Sequence, residues 1–159
     1  MKKAVRILSI CFALILLAGC GSKPTSFIAT LQGADGTVSE MHFQGAGDKV
    51  EQVTQTTTLD ISAFGEAEQG FMDGLLADAK AEMAQKIGDT EGVTHEINVV
   101  ENAIVETITI DTTNKETIKK LSDAGILPIE GNASRLSMKA TKKALQDAGY
   151  TITEGETDK

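Results

Sequence analysis

Residues 27–61 alternate between apolar and polar side chains, which is the pattern of β-strands with one buried face. The alternation predicts three strands, over 27–31, 37–44 and 50–61, separated by turn residues at 34–36 and 45–48. Because successive side chains of a strand point to opposite faces, the apolar members should share one face. The positions predicted to face inward are Phe27, Ala29, Leu31, Met41, Phe43, Val53, Leu59 and Ile61.

The period then changes from two residues to about four, which favours a helix. From Phe71 onward, apolar residues recur at every fourth position as far as Ile87, and Gly88 follows. A single apolar stripe of this kind predicts an amphipathic helix of about 20 residues that packs against the sheet. The stripe consists of Phe71, Leu75, Ala79, Met83 and Ile87, with Met72 and Leu76 beside it.

Strands and a helix follow again in the second half of the chain. Alternation predicts a hairpin formed by strands 93–100 and 103–110. A shorter helix is predicted over 115–124, where Thr113 and Glu116 have the spacing of a capping box.

A third helix is predicted over 138–148, followed by an edge strand over 150–153. Gly125 and Gly149 end the two late helices, each followed by an apolar residue that can pack back on the last turn. In the third helix, Met138, Thr141, Leu145 and Ala148 should face inward, and Lys139, Lys142 and Lys143 outward.

The order of elements favours an α+β fold in which an antiparallel sheet, built from β-hairpins, carries helices on one face as a two-layer sandwich. Helices that cover one face leave the polar positions of the strands on the other. The residues predicted to point outward from the sheet are Gln52, Thr54, Thr56, Thr94, Glu96, Asn98, Thr107 and Thr109.

The N-terminus has the features of a secretory signal. Lys2, Lys3 and Arg6 precede a run over 7–17 that is apolar apart from Ser9, and this run is about half the length that a membrane-spanning helix needs. The alternatives are an ordinary signal peptide with an accidental cysteine, or a buried core helix. Neither explains why a cysteine falls where the apolar run ends.

That ending, Leu17-Ala18-Gly19-Cys20, resembles the lipobox that lipoprotein signal peptidase recognises. The resemblance implies diacylglycerol on the Cys20 sulfur and cleavage between Gly19 and Cys20. The chain then divides into a lipoprotein signal peptide (1–19), a lipidated N-terminus with a short tether (20–26), a single domain (27–154) and a polar tail (155–159). We expect a lipid-anchored protein of the cell membrane or outer membrane, with its domain on the extracytoplasmic side.

Charge excludes one class of partner. The chain has 15 basic and 23 acidic residues, and removing the three basic residues of the signal leaves a net charge of −11. Nucleic acid repels a surface this acidic, so nucleic-acid binding is not expected. The expected partners are the membrane, through the anchor, and an unidentified envelope protein or small ligand. The other cysteine, Cys11, leaves with the signal, so the domain must fold without disulfides.

The sequence predicts no catalytic site, no metal site and no cofactor beyond the covalent lipid on Cys20. Zinc-ligand spacings, a nucleophile elbow and a phosphate loop are absent from the sequence. The threonines of the third strand and the three lysines of the last helix can each be interpreted as ligand contacts. Solvent-exposed faces of a sheet and of a helix explain both sets more simply.

His95 and Glu106 are the one polar pair that the pattern brings together. If Glu101-Asn102 is a two-residue turn, residue 95 pairs with 108, and Glu106 lies diagonally beside His95 on the face that meets the helices. An acid and a histidine on an apolar face can form a small site. The simpler hypothesis is a structural pair at the rim of the core.

Several segments together resemble the YehR-like lipoproteins. They are the lipobox with its short polar tether, the Gly-Asp-Lys-Val entry to a strand rich in Thr and Gln (47–50), and the C-terminal Leu136-Ser137-Met138 and Ala148-Gly149-Tyr150. The similarity spans nearly the whole chain. It implies an α+β domain of unknown function and supplies no catalytic residues.

Three functions compete on this evidence. The leading hypothesis is a non-enzymatic envelope lipoprotein whose open sheet face binds a partner or small ligand. The second is a small solute-binding lipoprotein associated with a transporter, although such receptors usually need two lobes. The third is a hydrolase that uses Glu106 and His95, for which the sequence offers no visible nucleophile.

Overall fold

The computed structural model describes residues 23–62, 66–124, 126–127 and 135–155. The predicted signal peptide, Gly19, Cys20 and residues 156–159 lie outside the described residues. The helices and strands, in chain order, are β1 (Pro24–Gln32), β2 (Thr37–Ala46), β3 (Lys49–Asp60), α1 (Glu66–Ile87), β4 (Val93–Val100), β5 (Ala103–Asp111), α2 (Lys115–Asp123), α3 (Met138–Asp147) and β6 (Thr151–Glu154).

The six strands form one antiparallel sheet in the order β4-β5-β3-β2-β1-β6. Hairpins join β1 to β2, β2 to β3 and β4 to β5, while α1 connects β3 to β4. The chain therefore places β5 beside β3, and β6 beside β1, by long connections. The α+β fold class predicted from the order of elements is confirmed.

The core lies on one face of the sheet, between the strands and the helices. At one side, Phe27 and Phe43 stack with ring centroids 4.5 Å apart, and Met138 of α3 packs into the same cluster. At the other side, Leu121 of α2 packs with Ile108 of β5, and Met83 of α1 lies against this second cluster. All three helices thus cover the same face, as the two-layer arrangement requires.

The register of the strands places every outward-predicted polar residue on the opposite face. Thr54 pairs with Thr109, and Thr109 pairs in turn with Thr94. Directly paired residues of an antiparallel sheet share a face, so these three threonines form a row that crosses β3, β5 and β4 on the uncovered side.

The bend between β2 and β3 depends on one glycine. The register shifts between Gln44 and Gly45, which marks a β-bulge. A Cβ atom added at Gly45 would collide with the main-chain carbonyl oxygen of Lys49. Only glycine fits this close approach of two backbone segments.

The two late helices end by the same hydrogen-bond pattern. After α3, the Tyr150 N–H donates to the Leu145 carbonyl oxygen over 2.9 Å, and Gly149 has φ +91°. After α2, the Ile126 N–H donates to the Leu121 carbonyl oxygen, also over 2.9 Å. These bonds are those of a Schellman motif, as predicted from the glycines, although Gly125 itself lies outside the described residues.

Two predicted details at the edges of elements are wrong. The tether does not extend to residue 26, because β1 begins at Pro24 and pairs with β2 from there. This first part of the strand, Pro24-Thr25-Ser26, has no apolar side chain that alternates with a polar one, so the pattern did not reveal it. The predicted capping box is also wrong: Asn114 caps α2 by accepting from the Glu116 N–H, while Thr113 hydrogen bonds to Asp111.

The exposure of three helix residues differs from the prediction, one in α1 and two in or directly after α3. Ala79 is exposed, although Met83 one turn later in the same stripe is half-buried. The structure describes four buried or half-buried side chains in α1, those of Met72, Leu76, Met83 and Ile87. The side chains of Phe71 and Leu75 lie outside the described residues.

In α3, Ala148 is the exposed C-cap rather than an inward residue. Lys142 does not point freely into solvent. Its Nζ lies 5.3 Å from the centroid of the Phe27 ring and 2.6 Å from Glu154 Oε1. A lysine stem can cover apolar surface while its charged end finds a partner, which the spacing of lysines alone does not indicate.

Candidate functional site

The uncovered face of the sheet is mainly polar, with hydroxyl, amide, imidazole and carboxylate groups, and it also carries Ile28, Val38 and Val105. Two rows of threonines lie side by side on it: Thr54 pairs with Thr109, and Thr56 with Thr107. The hydroxyl oxygens of Thr54 and Thr109 are 3.4 Å apart. Thr54 is only 8% exposed, and the other three threonines are half-buried. Each hydroxyl can both donate and accept a hydrogen bond, so the three half-buried threonines can adapt to a polar ligand or partner of either kind.

A hydrogen-bonded pair continues this face toward β2. The His42 Nε2 atom lies 2.7 Å from Glu40 Oε1, and both side chains are more than a third exposed. His42 pairs with Thr54, and Glu40 with Thr56, so this histidine–glutamate pair flanks the threonine rows directly. We call this set of outward residues on β2, β3, β4 and β5 the open face. Its members are Glu40, His42, Gln52, Thr54, Thr56, Thr94, Glu96, Asn98, Thr107 and Thr109.

The opposite face carries the second candidate. The observed register pairs His95 with Ile108 and Ile97 with Glu106, as the two-residue turn predicts. The His95 Nε2 atom lies 2.9 Å from Glu106 Oε1. The two side chains are 12% and 29% exposed, so the pair sits at the rim of the helix-covered face.

An open groove of about 590 Å³ runs past this pair, between β4 and α1. It is lined by Lys80, Ala84, His95, Glu96, Ile97 and Asn98. An imidazole bonded to a carboxylate can exchange protons with a substrate, but nucleophilic catalysis also needs a hydroxyl or thiol beside it. The described residues that line the groove supply neither. The pair lies at the rim of the core, as the structural hypothesis requires.

Replacing Glu106 with glutamine should therefore weaken the fold and leave recognition intact. Glutamine keeps the size and one hydrogen bond of the side chain but loses its charge, so we expect the free energy of unfolding to fall by about 1–3 kcal/mol. Chemical denaturation measures this change. Full stability together with the loss of a measurable activity would instead make the pair a functional site.

A third polar cluster was not predicted from the sequence. The Ser137 hydroxyl donates to both carboxylate oxygens of Asp48, over 3.0 and 2.9 Å, and the Lys139 N–H donates to the same carboxylate over 2.9 Å. The Lys139 N–H bond, and then the Ser137 hydroxyl, hold the pKa of Asp48 below its ordinary value. Asp48 thus ties the turn between β2 and β3 to the first turn of α3.

Of the residues in this cluster, only Ser137 has a recognisable pattern in the sequence. Ser137 directly precedes the apolar start of α3 and accepts from the Ala140 N–H, as an N-cap does. Asp48 is 89 residues away from Ser137 along the chain. Aspartate is common in turns, so nothing in the sequence around Asp48 indicates this contact. The contacts of Asp48 hold α3 against the hairpin of β2 and β3. We therefore interpret this cluster as part of the scaffold rather than as a ligand site.

The described part of the chain contains no group of three or more His, Cys, Asp or Glu residues arranged to hold a metal ion. Over the same residues, no helix is both long enough and apolar enough to span a bilayer.

Comparison with known proteins assigns the chain to a family. Residues 25–151 match the family model described as a protein of unknown function, DUF1307. The chain belongs to this family. An uncharacterized lipoprotein of Listeria innocua, Lin0239, is 26% identical over 157 residues, and the alignment covers 97% of each chain. A relative that aligns over nearly the full length of the chain is thus named as a lipoprotein.

Two solved structures share the fold. The NMR structure of the Escherichia coli YehR protein superposes with a TM-score of 0.55 at 17% identity, over 86% of this chain and 94% of that one. The NMR structure of a protein from Streptococcus pneumoniae TIGR4 has a TM-score of 0.51 at 13% identity, over 98% of both chains. The resemblance to YehR-like lipoproteins is confirmed by the family and these folds together.

Proposed function

We propose that this DUF1307 protein is an envelope lipoprotein, anchored by diacylglycerol on Cys20 after cleavage between Gly19 and Cys20. The full-length similarity to a relative named as a lipoprotein supports the anchor, as does the lipobox-like Leu17-Ala18-Gly19-Cys20. Two or three acyl chains on one cysteine suffice for a durable attachment, so no membrane-spanning helix is needed.

The start of β1 makes the proposed anchor a short one. Only three residues, 21–23, lie between Cys20 and the first residue of the sheet, Pro24. A fully extended chain covers about 3.5 Å per residue, so the sheet begins within about 14 Å of the lipidated cysteine. The domain is thereby held against the membrane surface rather than on a long flexible stalk.

The domain itself we propose to be a non-enzymatic interaction module, with the open face as its binding surface. The observation that carries this proposal is the one-sided packing of the described helices, which leaves six paired strands with a polar face uncovered. Strands supply a rigid, extended array of side chains, and such arrays suit partner proteins better than small buried substrates.

The same proposal includes no cofactor, no metal and no nucleic-acid partner. The net charge of −11 left after signal removal supports the exclusion of nucleic acid. The hydroxyl, amide and carboxylate groups of the open face support a polar partner, either an envelope protein or a small ligand.

Site-specific photo-cross-linking in intact cells tests the binding surface. A photoreactive residue at Thr107, on the open face, should give a discrete cross-linked product. The same residue at Lys119, which is exposed on α2 at the other side of the molecule, should give none. The product from Thr107 should disappear when the neighbouring Thr56 is changed to Arg. Equal products from both positions would exclude the open face as the specific surface.

A further inference from the structure

The two edges of the sheet differ in how they are protected against pairing with another strand. The β6 edge is only four residues long, and short edge strands resist further pairing. The β4 edge is eight residues long and contains neither proline nor lysine. It ends in Val99 and Val100, each 50% exposed. Large apolar side chains on a long, regular edge strand form a template for another chain.

The hydrogen-bond alternation shows which main-chain groups of β4 point away from the sheet. The Asp111 N–H donates to the Gly92 carbonyl oxygen over 2.7 Å, which makes residues 92 and 111 a hydrogen-bonded pair. Every second residue of β4 is then bonded to β5, namely 94, 96, 98 and 100. The N–H and C=O groups of the residues between them point outward, and Val93 already gives its N–H to Thr90. His95, Ile97 and Val99 are left to pair with an added strand.

These three residues are self-complementary. If two β4 strands meet antiparallel with Ile97 opposite Ile97, then His95 lies opposite Val99 and all three outward residues form hydrogen-bonded pairs, with about six new main-chain bonds. Glu96 then faces Asn98, and Val100 faces Thr94. Shifting the register to bring Glu96 opposite Glu96 juxtaposes like charges, which is unfavourable in a sheet. Shifting it the other way leaves His95 without a partner.

The groove leaves room for the second strand. It lies along this edge, and α1 contributes the small side chain of Ala84 and the extended side chain of Lys80 to its wall. A strand paired at about 4.8 Å from β4 would enter the groove, where its helix-side residues would contact Ala84. Lys80 has no ion-pair partner among the described residues.

We propose that two copies of this chain associate through β4 in the register centred on Ile97, to form one continuous twelve-stranded sheet with a single open face. The dyad of the pair is normal to the sheet. Both lipid anchors therefore reach one bilayer when the sheet lies parallel to the membrane. An edge of this length makes a small interface, so the association is of the weak, transient class, and it is favoured by confinement of both copies to a membrane.

Disulfide trapping in membranes of producing cells tests the register. The domain contains no cysteine after residue 20, so introduced thiols are the only ones free to react. Glu96→Cys and Asn98→Cys chains with different tags are expressed together and oxidised. Residues 96 and 98 face each other in a non-hydrogen-bonded pair, with Cα atoms about 4.5 Å apart, which suits a disulfide. The mixed dimer should form several-fold more efficiently than the dimer from either single variant alone.

A charge at the edge should remove the product. Val99→Lys, at an exposed position where folding tolerates the change, should reduce the mixed disulfide several-fold. The matched change on the other edge strand, Thr151→Lys, should leave it unchanged. Equal trapping of all combinations, or trapping that is insensitive to Val99→Lys, would each overturn self-pairing. None of these outcomes depends on the cross-links from Thr107, which report on the open face separately.

Discussion

Replacing Cys20 with alanine should abolish lipid anchoring. Without the thiol there is no sulfur to carry diacylglycerol, and the cleavage that depends on that modification should stop. The variant should therefore keep residues 1–19 and incorporate no labelled fatty acid, and it should either enter the soluble exported fraction or be held at the membrane by the uncleaved signal. Membrane fractionation, gel mobility and fatty-acid labelling measure the three consequences together.

The chain offers a matched control in its other cysteine. Cys11 lies inside the apolar run of the signal, so Cys11→Ala should leave lipid labelling, cleavage and membrane retention unchanged. Normal processing and retention of the Cys20→Ala protein would remove the basis for the anchor. Such a result would also remove the argument that three residues hold the sheet near the membrane.

The strands and helices could be predicted because their signals are local. In the hairpin of β4 and β5, alternation identifies the faces, and the two-residue turn fixes the register by counting outward from Val100 and Ala103. The same counting places His95 beside Glu106, so this candidate pair needed no long-range information. The open face followed for the same reason, since each of its residues alternates with an inward neighbour.

The order of the strands could not be obtained in this way. Nothing near β3 in the sequence indicates that β5 pairs with it, and β6 reaches β1 across more than a hundred residues. The contacts made by such long connections are equally hidden, so the sequence predicts Asp48 only as a turn residue and Lys142 only as a solvent-exposed one. The groove between α1 and β4 was missed because it requires knowledge of which strand forms the edge.

The most destabilising single substitution we expect is Phe27→Ala. Phe27 is 2% exposed, it stacks on Phe43 with an angle of 11° between the rings, and the Lys142 ammonium lies over its ring. Truncation removes the stacking partner and leaves a cavity under α3, which costs about 3–5 kcal/mol in a packed core. That is a large share of the roughly 5–15 kcal/mol that stabilises a domain. Thermal denaturation should show a melting temperature lowered by about 10–20 °C.

The neighbouring residue provides the control, because adjacent side chains of a strand lie on opposite faces. Ile28 is only half-buried and pairs with His42 on the uncovered side. Ile28→Ala deletes apolar atoms from the same strand without opening the helix-covered core, so it should cost about 1 kcal/mol or less. Equal losses from the two substitutions would mean that both faces of the sheet are covered, and the open face would lose its role as a binding surface. A large loss at Phe27 alone locates the core between strands and helices and leaves the threonine rows free for recognition.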